Sequence, residues 1–135
     1  VSGIKYILFS ASTEEVAPAI DAYLKSLSPV PSPRLVNGNL SEAAKRGKAH
    51  FEKDCSSCHS GTYYTDMKQY KVSWTNGPDE HVKMDVPALN EVWRTAPYLY
   101  DGRAYTMQDL LKIHAPAETL SESELNDLAE YVLSL

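Results

Sequence analysis

Positive charge is scarce in this chain of 135 residues: thirteen lysines and arginines face eighteen acids, for a net charge of −5. A nucleic-acid binder needs a basic stripe to neutralise phosphates, so this balance argues against one. Long apolar runs are missing too. None approaches the roughly 18 residues that cross a bilayer, and no charged, apolar and small-residue leader opens the chain. Cysteine is limited to two residues, which excludes a disulfide-dense miniature. What remains is the composition of a soluble globular protein, 43% hydrophobic and 23% charged, with a length that suits one compact domain. The first residue is Val1 and not Met. A mature or truncated product is therefore expected, and the missing targeting signal says nothing about location.

Both cysteines lie in one pentapeptide, Cys55-Ser56-Ser57-Cys58-His59. This is the C-x-x-C-H pattern of covalent c-type haem attachment. Thioether bonds to the two haem vinyl groups need thiols two residues apart, and the histidine after the second is then placed to bind iron from one face. The alternatives are a dithiol redox pair, half of a zinc site, or two incidental cysteines. Zinc would need further ligands at close spacing, and there is no second C-x-x-C and no H-x-x-x-H. A thioredoxin-like pair would need a βαβ context that the pattern does not contain.

Ser41 is placed to cap a helix over Glu42 to Asp54 that sets Ala43, Ala44, Gly47 and Phe51 on one side and ends at the cysteines. At the other end of the chain Ser121 and Glu124 form a capping box ahead of Leu125, Leu128, Val132 and Leu135. Two amphipathic helices thus bracket the haem motif. Further upstream, Gly3 to Phe9 reads as a short strand or extended arm. Val16, Ile20, Tyr23, Leu24 and Leu27 follow at helical spacing, with regular helix expected from near Pro18. The segment Ser28-Pro29-Val30-Pro31-Ser32-Pro33 is a stiff extended linker and a boundary. From Ser60 to Glu91 no period is sustained, and Asn76-Gly77-Pro78-Asp79 reads as a turn. A loop of that length needs a partner to pack on, and a haem would serve. Thr106 begins T-x-x-D, a cap for a short helix carrying Met107, Leu110, Leu111 and His114, which Pro116 ends.

The Gly47-x-x-x-Phe51 spacing ahead of C-x-x-C-H, with Tyr131 late in the last helix, resembles the cytochrome c fold, where the glycine lets first and last helices cross closely and the aromatic fills the crossing. The run Val86-Pro87-Ala88-Leu89 through Thr95-Ala96-Pro97-Tyr98-Leu99-Tyr100-Asp101-Gly102-Arg103-Ala104-Tyr105-Thr106 resembles the signature of the bacterial di-haem cytochrome c peroxidase family, which also contains the di-haem enzyme that matures methylamine dehydrogenase. Tyr100 stands where that family usually has histidine. The resemblance covers about Leu40 to Leu135. It implies an all-α cytochrome c fold with a long haem-wrapping loop over residues 34–135. Residues 1–33 are then an N-terminal extension, the tail helix of a preceding cytochrome c domain followed by the linker. The chain is expected to be the C-terminal, electron-relay half of a larger di-haem protein. A free-standing monohaem cytochrome with a long extension is the alternative.

His59 is expected to supply one axial nitrogen. The residues alone leave His50, His81, His114, Met67, Met84 and Met107 for the other face, with His50 disfavoured by its nearness to the motif. In the peroxidases the second ligand lies about nineteen residues beyond the threonine of the T-A-P-Y run. Counting from Thr95 gives His114, where the family usually has methionine. Bis-histidine ligation by His59 and His114 is therefore expected, with Met84 and Met107 as alternatives and core packing as the plainer role of Met107. Thr95 and Pro97 match positions whose carbonyls bind an interdomain calcium in that family. Trp93 and Tyr98 are expected to fill the core, and Asp101-Gly102 to make a turn.

The leading function is electron transfer through one covalent haem to a neighbouring haem domain or redox protein. A haem peroxidase or oxidase and a haem-based sensor are the rivals, and both require an iron with a displaceable ligand. Catalysis by this chain on its own is not expected. Covalent attachment implies maturation in the periplasm or another extracytoplasmic compartment of a bacterium.

Overall fold

In a computed structural model, residues 13–71, 82–114 and 116–135 are described, without the side chains of residues 13–15 and 118. The arm expected over Gly3–Phe9, the Asn76–Asp79 turn and His81 lie outside them. The chain divides into two units, Val1–Val30 and Pro31–Leu135. This division falls three residues before the expected end of the extension. The buried Ser32 hydroxyl donates to the Leu133 carbonyl at 2.6 Å, tying the end of the linker to the last turn of the chain.

The described part of the first unit is helix α1, Thr13–Ser26. It begins ahead of Pro18 and carries that residue inside. Pro18 lies in the second turn, where its missing N–H forgoes one bond to the Glu14 carbonyl and leaves the turns beyond intact.

The second unit is mostly helical. Helix α2, Glu42–His50, starts where the Ser41 hydroxyl accepts the Ala44 N–H at 3.1 Å. It does not reach Asp54 as regular α-helix. Phe51–Cys55 form a π turn, closed by the Ser56 N–H on the Phe51 carbonyl at 3.0 Å. Strands β1, Gln69–Lys71, and β2, Lys83–Asp85, pair antiparallel with Tyr70 opposite Met84. This small two-stranded sheet is an addition to an architecture that is otherwise mostly helical, as expected. A single 3₁₀ turn, Val92–Arg94, comes next. Helix α3, Met107–Leu111, carries a full Thr106/Asp109 capping box and ends earlier than expected, so that His114 sits in the turn behind it. Pro116 cannot donate to a helical carbonyl, and the chain re-forms as a 3₁₀ turn over Ala117–Thr119, its first N–H bonded to the His114 carbonyl at 2.8 Å. Helix α4, Glu122–Val132, is capped by the Ser121/Glu124 box.

The core is the crossing of α2 and α4. A methyl group on Gly47 would lie 1.9 Å from the Asp127 carbonyl oxygen, so only glycine lets the two backbones meet. Phe51 packs edge-on against Tyr131 at 5.1 Å between centroids, and Leu128 and Ala129 are sealed beneath. On the rim Arg46 grips the Asp127 carboxylate with two hydrogen bonds of 2.6 and 2.7 Å. Among the described residues no helix is long and apolar enough to cross a membrane.

Candidate functional site

Beside the crossing lies a cavity of about 740 Å³. Its walls are largely apolar: Phe51 from the π turn, Leu89 and Val92 from the connecting loop, Leu110 and Leu111 from α3, and Val132 from α4. Cys55, Cys58, His59 and His114 all line it. A volume of this size, within the roughly 300–1,000 Å³ of ordinary cofactor pockets, with few polar groups converging on it, is a site for a large apolar ligand.

The C-x-x-C-H turn is held by its own backbone. The N–H groups of Cys58 and His59 both donate to the Cys55 carbonyl, at 3.2 and 2.9 Å, and the Asp66 N–H donates to the Cys58 carbonyl at 2.9 Å. Burial, followed by the charges of Asp54 and Cys58, pushes the Cys55 thiol up to about 11. A dithiol redox pair works through a depressed thiol pKa, so this environment speaks against that reading. Among the described residues there is also no cluster of three or more histidine, cysteine or acidic side chains fit for a metal ion such as zinc.

His59 Nδ1 lies 3.0 Å from the Tyr64 carbonyl. A carbonyl can only accept, so Nδ1 carries the proton and Nε2 keeps a lone pair for a metal. Tyr64 reaches this position with a left-handed backbone, φ 56°, and its ring is pinned edge-on to Phe51 at 5.9 Å. Burial holds the His59 pKa below its ordinary value, the Tyr64 carbonyl opposes that, and nearby His114 adds to it. The imidazole is thus kept neutral, the form that ligates.

His114 comes from the turn after α3. Its ring centroid is 6.2 Å from that of His59, the planes inclined at 54°. The other candidate ligands fall into two groups. Met84, on β2, and Met107, at the start of α3, line the same cavity, Met107 being almost fully buried in the core. Met67 is 84% exposed, and His50 faces Glu124 at 3.9 Å; neither is on the cavity wall. Thr95 and Pro97 are on the wall, the Thr95 hydroxyl donating to the Val92 carbonyl at 3.0 Å. Tyr98 is buried, with its hydroxyl on the same carbonyl at 3.2 Å, and Trp93 packs on the core away from the cavity.

Sequence reasoning did not find Tyr64 or Asp66. The first acts through a backbone carbonyl, which leaves no mark in side-chain identity. The second belongs to a loop without periodicity.

The donor set, two thiols, a proton-fixed imidazole and a second imidazole in an apolar slot, suits a covalently attached haem. Comparison with known proteins points the same way. The chain is similar to the hydrazine synthase subunit gamma of Kuenenia stuttgartiensis, 25% identical over an alignment of 169 residues that covers 87% of this chain and 48% of that protein. A solved structure of hydrazine synthase from the same organism superposes with a TM-score of 0.71 at 23% identity, over 87% of this chain and 54% of the other, a likeness of fold. The chain spans about half the length of these relatives. Residues 44–135, from the first turn of α2 to the last residue, match the family Cytochrome c. It follows that the chain belongs to the cytochrome c family, whose haem is covalently held and whose work is haem-based electron transfer.

Proposed function

We propose that this chain is an electron-transfer module in which one haem is attached through Cys55 and Cys58 and ligated by His59 and His114. The observation that carries the reading is the 6.2 Å between the two imidazole centroids. A metal–imidazole bond is about 2 Å and the ring centre lies about 1.2 Å behind the nitrogen, so two imidazoles on opposite sides of one iron have centroids roughly 6 Å apart. The haem would supply the one-electron ferric/ferrous couple. The protein's own part is to hold it. The Tyr64 carbonyl fixes the His59 tautomer, the apolar walls exclude water, and His114 closes the face on which peroxide or a sensed gas would otherwise bind. Closure of both faces favours electron transfer over the peroxidase and sensor readings.

The same reading makes the chain the relay half of a larger di-haem protein matured outside the cytoplasm. Support comes from the T-A-P-Y and D-G run and from the half-length coverage of the relatives. A likeness between α1 and α4 adds to it. Ile20, Tyr23, Leu24, Ser26 and Leu27 repeat the spacing of Leu128, Tyr131, Val132, Ser134 and Leu135. Both serines donate to the carbonyl of the preceding tyrosine, at 2.7 and 2.6 Å. A relative named as one subunit of hydrazine synthase fits a module that works beside other redox proteins.

The test is spectroscopic. Chain produced with a cytochrome c maturation pathway should keep its haem through acid–acetone extraction, show a low-spin spectrum without the far-red sulfur-to-iron band, and resist cyanide and carbon monoxide. His114→Gly should open the iron to added imidazole. A sulfur band in the wild type would move the ligand to Met84 or Met107, and free haem on extraction would sink the reading altogether.

A further inference from the structure

One half-buried aspartate is tied to the C-x-x-C-H turn and is not one of the candidate iron ligands. Asp66 is bound to the C-x-x-C-H turn through its backbone N–H on the Cys58 carbonyl at 2.9 Å. Its side chain is only 9% exposed. One carboxylate oxygen accepts the Tyr70 hydroxyl at 2.6 Å, and the other accepts the Lys68 backbone N–H at 2.9 Å. The Lys68 ammonium lies 3.7 Å away, on a side chain 72% exposed to water that screens it. Tyr70 itself is on the cavity wall.

The ionisation of this pair is settled by its hydrogen bonding. The Tyr70 hydroxyl, with help from the Lys68 N–H and ammonium, holds the Asp66 carboxyl below its ordinary value. The same bond pushes the Tyr70 phenol up to about 12. The carboxylate is therefore charged and the phenol neutral at every physiological pH. Its field also reaches the site, since Asp66 favours the positive form of His59, where His114 opposes it.

We propose that Asp66 is a fixed counter-charge that sets the reduction potential of the haem, with Tyr70 positioning and moderating it. The proposal rests on the reading that the haem is bound with His59 on its iron. When one electron arrives from a donor and no proton accompanies it, the charge on iron falls from three to two. A nearby anion stabilises the more positive state, so Asp66 favours ferric iron and lowers the potential. The carboxylate itself is not on the cavity wall, and its hydrogen bond to Tyr70, which is, carries its influence toward the site.

Midpoint potentials of the holo full-length chain, taken by spectroelectrochemistry, provide the test. Asp66→Asn should raise the potential, by an amount that changes the equilibrium with a reference mediator several-fold. Asp66→Glu keeps the charge and should stay near the wild type. Tyr70→Phe removes the donor that spreads the carboxylate's charge and should lower the potential, an effect that disappears in the Asp66→Asn background. A purely structural role gives another pattern: loosening the loop admits water, which favours ferric iron and lowers the potential in Asp66→Asn and Tyr70→Phe alike. An unmoved or lowered potential in Asp66→Asn overturns the proposal, as does Asp66→Glu behaving like Asn. If Asp66→Asn fails to mature, Asp66→Ser, which also removes the charge, takes its place with the same expected rise, and an unmoved or lowered potential there overturns the proposal. A wild type without covalent low-spin haem removes the functional reading and this proposal together, whereas a normal wild type with unresponsive variants removes only the latter.

Discussion

Where α2 crosses α4 the protein leaves no room for a methyl group, yet the adjoining region is a cavity of about 740 Å³. The two share residues: Phe51 packs on Tyr131 in the crossing, and both Phe51 and Val132 also form cavity wall. The crossing is completed by protein atoms alone, with caps, a glycine contact and a surface ion pair. The cavity is built from short pieces, namely a π turn, three-residue strands, 3₁₀ turns and a five-residue helix. Segments that short do not hold themselves. The contrast teaches that one half of the domain is completed by its own packing, while the other is a shell of short segments that calls for an occupant to pack on.

The largest effect should come from denying the cavity its occupant. Cys55→Ala with Cys58→Ala should abolish covalent haem and destabilise the domain by ~5 kcal/mol or more, comparable with the whole stability of a small domain. Thermal melts followed by circular dichroism read this directly. A cysteine-free chain as stable as the haem-loaded protein would erase the contrast.

Next is the crossing. Gly47→Ala would gain about 1 kcal/mol from helix propensity alone, but its methyl group would meet the Asp127 carbonyl. The net expectation is a loss of about 3 kcal/mol in urea titrations, and a gain would show that the helices can part without penalty. The caps give smaller effects that separate the two halves. Ser121→Ala and Thr106→Ala should each cost about 1 kcal/mol, but only the second, which starts the helix leading to His114, should alter the haem spectrum. Identical spectra in both would blur the distinction.

The least effect is electrostatic. The Arg46 guanidinium holds the Asp127 carboxyl below the ordinary 3.8. The unfolded chain therefore takes up that proton first as the solution is acidified. The contribution of the pair is present above about pH 4 and is lost as pH falls from there through the lower folded-state value. Arg46→Met should flatten this part of the acid melting profile, and an unchanged profile would assign the acid sensitivity elsewhere.

The crossing was legible in the sequence and the far wall of the cavity much less so. Ser41, Gly47, Phe51 and the Ser121/Glu124 box announce themselves because helix ends and close backbone contacts demand particular side chains. The cysteines and His59 are legible for the same reason, since the chemistry dictates their spacing. His114 is legible only along a family resemblance, and its place beside His59 rests on a turn, not on the helix that periodicity implies. The β1–β2 pair left no signal. Its strands are three residues each, with Lys71 opposite Lys83, too short for their polar–apolar–polar pattern to stand out as a period. Backbone acceptors such as the Tyr64 carbonyl are silent in any sequence. Pro18 misled, because a proline near the start of a helix removes a single bond.

The π turn at Phe51–Cys55 has a consequence for how this sequence can change. A π turn closes its hydrogen bond over five residues where an α turn closes over four, so it takes up one extra residue while the chain beyond keeps nearly its angular phase. Gly47 sets the phase of α2 against α4, while Cys55, Cys58 and His59 take theirs from the far side of this wide turn. One further residue between Gly47 and the motif, with no second wide turn to absorb it, would rotate the haem-attachment motif by about 100° relative to the cavity, with every side chain still present. The width of the turn and the motif's distance from Gly47 are therefore constrained together.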